Sequence, residues 1–65
     1  MVGTTLVQLV TALTRGTLGY VLTVDGAEVG HWWMYQAPDA YRALAQWREY
    51  LAHGGTVQAW RESIA

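Results

Sequence analysis

Apolar residues in the first third of the chain follow two competing periods. Leu6, Leu9, Val10 and Leu13 recur at i, i+3, i+4 and i+7, the stripe of an amphipathic helix. The same stretch is rich in Thr and Val, which favour strands. Arg15-Gly16 and Asp25-Gly26 read as two-residue hairpin loops, and taking both as turns sets every cross-strand register by counting. Val7, Leu9, Thr11 and Leu13 then oppose Val24, Leu22, Tyr20 and Leu18. On the second hairpin Ala27, Val29, His31 and Trp33 join that same face. Gln8, Val10, Ala12 and Thr14 share the other face with Thr23, Val21, Gly19 and Thr17, and with Glu28, Gly30, Trp32 and Met34. One face is almost wholly apolar and the other small and mixed, a division that a one-residue slip would scramble. Trp32 falls opposite Gly19, where a ring covers bare backbone. The expectation is a three-stranded antiparallel meander, with an N-terminal helix over residues 4–14 as the alternative.

Pro38 suits a helix start, and Asp39 complements the dipole in the first turn. Ala40, Leu44, Trp47 and Leu51 line one face at 100° per residue, flanked by Ala43, Tyr50 and Tyr41. Arg42, Gln46, Glu49 and His53 fall opposite, and Gly54 supplies a stop. This stripe is expected to pack on the apolar sheet face, with Trp33 buried against Trp47 or nearby. In the last segment Thr56 can cap a short helix carrying Val57, Trp60 and Ile64 on one side. So short a helix cannot hold itself together alone and must dock, either beside the first helix or over the mixed sheet face. A fourth strand is the alternative. The expected fold class is α+β, a single small domain over residues 1–65 of order βββαα, with αββαα as the alternative.

Composition sharpens this picture. At 65 residues the chain buries only about 60% of the surface its unfolded form exposes, so it needs a staple, a partner or dense packing. Cysteine is absent, which removes disulfides and thiolate metal sites and fits a cytoplasmic location. Four Arg, no Lys and a net charge of −1 make a poor footprint for nucleic acid. Arg42 and Arg48 even point about 120° apart on the helical wheel. No apolar run reaches the roughly 18 residues of a membrane span. The apolar start has no basic n-region and is interrupted by Thr and Gln, unlike a signal peptide.

Candidate chemistry is sparse. Ser63 is the one serine, and it sits in the terminal segment without a nucleophile elbow. His31 reads as a core-edge residue bonded to Tyr20 or Thr11, and alternatively as a general base or pH switch. His53 reads as a helix-end residue, and the two histidines together support zinc only weakly. Asp25, Glu28 and Asp39 have turn, strand-start and helix-start explanations. Gly54-Gly55-Thr56 reads as a joint between helices rather than a phosphate cradle. No catalytic residue, metal or cofactor is expected.

The run from His31 to Tyr35 is more informative. One helix covers one sheet face, so Trp32, Met34, Val10 and Val21 need other cover. Either the terminal segment folds over them through Trp60, or these residues face a partner, since Trp, Met and Tyr are enriched at interface centres. Strand one is also an edge with no Pro and no charge from Val2 to Thr14, and unprotected edges pair with something. The expected function is a non-enzymatic protein-binding module of the inhibitor or adaptor kind that phages and mobile elements encode. It is expected to act through protein–protein contact, to self-associate as a homodimer and to have no membrane partner. The alternative is a small nucleic-acid-binding module using the sheet and the scattered arginines.

Overall fold

The computed structural model describes residues 5–64, apart from the side chain of Thr14. Residues 1–4, where the first apolar segment begins, lie outside the described residues. Three antiparallel strands, β1 (Val7–Thr14), β2 (Thr17–Val24) and β3 (Ala27–Trp33), form a sheet of order β1-β2-β3. A short 3-10 turn at Met34–Gln36 leads into α1 (Ala37–Ala52), and α2 (Val57–Ile64) follows. The chain is α+β with the order βββαα, and the period-2 reading of the first segment prevails over the helical stripe.

The turns explain why. Arg15, Gly16, Asp25 and Gly26 all have positive φ, between 50° and 84°. Such pairs give the twist that two flanking strands require. Asp25 closes the ladder twice: its N–H donates to the Leu6 carbonyl at 2.8 Å, and its Oδ1 accepts the Leu6 N–H at 2.7 Å. The β1–β2 register is the one counted from the turns, from Val7↔Val24 through Thr14↔Thr17.

The β2–β3 register departs from expectation beyond the first two pairs. Val24↔Ala27 and Thr23↔Glu28 stand as expected, but Leu22 pairs with Gly30, Val21 with His31, Tyr20 with Trp32 and Gly19 with Trp33. Val29 is the extra residue of a β-bulge, which reverses the facing of every later residue of β3. A regular register would send His31 to the apolar face and leave Trp32 outside. The bulge turns His31 outward, where Nδ1 lies 3.4 Å from Glu28 Oε1, and brings Trp32 in over Gly30. Losing one ladder bond costs about 1 kcal/mol. Covering a Trp ring returns roughly 2–3 kcal/mol, and an imidazole stays in water. The strand also stops at Trp33 rather than continuing to Tyr35, because the Gln36 Oε1 accepts the Trp33 N–H at 3.0 Å and starts the turn.

Leu22, Val24, Ala40 and Trp47 form a small buried core on the inner face of the sheet. Val7, Leu9, Val29, Trp32, Leu44 and Leu51 pack around it. The α1 stripe is the expected one, and its opposite face is exposed at Arg42, Gln46, Glu49 and His53. The expected Trp33–Trp47 contact does not form. Trp47 instead meets Tyr50 and Trp60 edge-on, with centroids 5.4 and 5.2 Å away. Thr56 Oγ1 accepts the Ala59 N–H at 3.1 Å and caps α2, which docks on the core through Val57 and Trp60. Ile64, expected on the same side, is 65% exposed.

Two substitutions test this account. Arg15→Asn suits the left-handed turn position better and is expected to raise unfolding stability by about 0.5–1 kcal/mol. Gly30→Ala would place a Cβ 2.5 Å from the Trp32 ring and is expected to destabilise by roughly 1–3 kcal/mol. Urea titration of both variants beside the parent chain measures the difference.

Candidate protein-interaction surface

With α1 and α2 both on the inner side, the outer sheet face carries no covering element among the described residues. Sheet alternation and the bulge place Val10, Ala12, Val21, Gly19, His31 and Trp33 on it. A groove of about 360 Å³ runs between Ala12, Val21, His31 and Trp33, with Arg15 and Thr17 at its end. Gly19 forms its floor and is buried, and the Trp32 backbone passes so close that a Cβ there would strike its carbonyl oxygen. Trp33 is 41% exposed and Val10 44%.

The groove shares Thr17 and Trp33 with a second hollow at the apolar end of the molecule. Leu18, Trp33, Met34 and Tyr35 border this shallow hollow beside the first hairpin turn. Met34 is exposed, Tyr35 is 81% exposed, and Leu13, paired with Leu18, is 71% exposed. Exposed apolar side chains this close together mark interaction sites more often than isolated ones do.

The residues expected to bind a partner therefore separate into two groups. Val10, Val21 and Met34 stay outside the core, Val10 and Val21 on the outer face and Met34 at the apolar end. Trp32 and Trp60 pack against the core and are only partly exposed. Trp60 covers Trp47 rather than the outer face, so the terminal segment leaves that face bare. Trp33, Leu13, Leu18 and Tyr35 are the surface residues that sequence reasoning missed. The signal for Trp33 was a local conflict, a histidine assigned to an apolar face next to Gly30.

Other polar groups have local roles. Ser63 Oγ donates to the Trp60 carbonyl at 2.7 Å, and Tyr50 Oη donates to the Thr56 carbonyl at 3.0 Å. His31 lies across the sheet from its expected position, facing Glu28 rather than Tyr20 or Thr11. Tyr20 instead packs on Tyr41, 6.0 Å between centroids. Arg42 pairs with Asp39 at 3.1 Å. No three His, Asp or Glu residues converge among the described residues, and no described helix is long and apolar enough to cross a membrane. Comparison with protein-family models, curated proteins and solved structures finds no match to this chain.

The two adjacent indoles are expected to differ sharply. Trp32→Ala should cost about 3 kcal/mol by opening the core. Trp33→Ala should cost less, about 1 kcal/mol, because the residue is 41% exposed and lies on the outer face away from the core. Chemical denaturation of the two variants, with equal losses as the contrary result, measures this.

Proposed function

We propose that the chain is a non-enzymatic protein-binding module, an inhibitor or adaptor of the mobile-element type, that captures a target protein on the outer sheet face. The observation that carries this reading is the bare groove between Val21 and Trp33, which shares Trp33 with the hollow bordered by the exposed Met34 and Tyr35. A tryptophan flanked by small residues on a rigid sheet suits the anchor of a protein interface. The face also carries little charge: Arg15 stands at its end and the Glu28–His31 pair at its margin. Such a surface favours an apolar or weakly polar partner over a phosphate backbone. Self-association belongs to a different part of the molecule, the free edge of β1.

The nucleic-acid reading draws only on Arg15 beside Trp33. Arg42, engaged by Asp39, and Arg48 lie on α1, and Arg61 lies in α2 beside Leu51 and Val57, all away from the outer sheet face. A backbone-tracking site needs several cations on one surface.

A photo-crosslinking side chain at Thr17, on the rim of the groove, tests the reading in cells. A discrete protein adduct is expected, lost with Trp33→Ala and absent when the same group is placed at Glu49 on the exposed side of α1. Adducts to RNA or DNA, or quenching of tryptophan fluorescence by oligonucleotides at about 50 mM salt, would favour the alternative. Equal labelling from Thr17 and Glu49 would refute both.

A further inference from the structure

We infer that β1 is a homodimerisation edge, pairing antiparallel with β1 of a second copy about a twofold axis at Val10 to make one six-stranded sheet. This deepens the self-association side of the reading above and is independent of the target-binding groove.

The inference starts from backbone phase. The bond from the Asp25 N–H to the Leu6 carbonyl shows that even-numbered residues of β1 direct their polar groups at β2. In an antiparallel ladder the alternate residues then point theirs outward. Val7, Leu9, Thr11 and Leu13 therefore present a row of N–H and C=O groups at the edge of the described sheet.

The two edges of the sheet are not alike. β3 is guarded by its bulge and by the Glu28 carboxylate with the polar His31 beside it, devices that keep strands from adding. β1 carries no charge, no proline and no bulge along its pairing with β2. An edge left unguarded while its opposite number is guarded suits a specific partner.

A second copy fits that edge by symmetry. Strands related by a twofold axis pair residues of equal parity, and an axis at Val10 sets Val7 against Leu13 and Leu9 against Thr11 of the second copy. All four outward residues then bond, giving up to about eight new backbone bonds. No like charges meet, because β1 has none. Leu13, 71% exposed in the single chain, gains an apolar neighbour in the other copy's Val7, which borders its core. Val10 meets its own copy on the outer face, at a non-hydrogen-bonded site where Cα atoms approach to about 4.5 Å. The groove on the outer face remains open in both copies.

The natural chain has no cysteine, so a single introduced thiol reports one distance. Val10→Cys is expected to cross-link two chains under mild oxidation, since the self-pair lies within disulfide reach. Gln8→Cys would be separated from its copy by roughly 13 Å and Val21→Cys lies one strand inward, so neither should cross-link. Light scattering of the natural chain is expected to show twice the chain mass. Thr11→Pro, which removes an outward N–H and no β1–β2 bond, should return it to one chain mass with the fold checked by circular dichroism. A single-chain mass for the natural protein overturns the pairing, as does a dimer that cross-links through Gln8→Cys or Val21→Cys instead, or through none of the three. If Thr11→Pro fails to fold, the cross-linking pattern decides alone. A monomer that still captures a protein at Thr17 removes only the dimer, and a dimer with no adduct removes only the target-binding reading.

Discussion

A sheet of three short strands offers two faces to bury and α1 covers only one of them, so the sorting of side chains between those faces governs the whole molecule. The bulge at Val29 does that sorting on β3. Its effect is to exchange an imidazole for an indole beneath the helices. Trp32 joins Leu22, Val24 and Trp47, while His31 moves to water beside Glu28. In so small a core a single ring is a large share of the buried apolar area. The modest cost of one irregular ladder step is small beside it.

The same irregularity shapes the surface. Once β3 has reversed its facing, Trp33 takes the place on the outer face that a regular strand would give to Trp32. It stands across from the bare backbone of Gly19, and the hollow between them becomes a groove instead of a flat sheet. α2 leaves that groove free because its own anchor is elsewhere. Trp60 finds an aromatic partner in Trp47, and Tyr50 locks the joint through the Thr56 carbonyl and by lying against Gly55. A helix this short goes where its one large side chain can be buried, and that place is the inner side.

Much of the architecture was legible because local chemistry settles it. The Arg15-Gly16 turn, whose central residues take positive φ, sets the β1–β2 register to the residue, and α1 follows from Pro38, Asp39 and the Ala40–Leu44–Trp47–Leu51 stripe. The candidate surface was legible only in part. Val10 and Val21 lie before the bulge or on the strand it does not disturb, so their facing was read correctly. Trp32 and Trp33 lie after it, so theirs was exchanged. Met34 remains exposed although its backbone is 3-10 rather than extended.

By itself the sequence determined the element order, the turns, the stripe that α1 buries and the absence of charge from β1, since each depends on residues close together in the chain. The tertiary structure alone decided which indole is inside, where α2 docks and which sheet face stays open. Those outcomes depend on competition between distant groups for one small buried space. A bulge carries no local motif strong enough to announce it, and it forms here because the energy of filling the core under α1 exceeds the energy of a regular ladder.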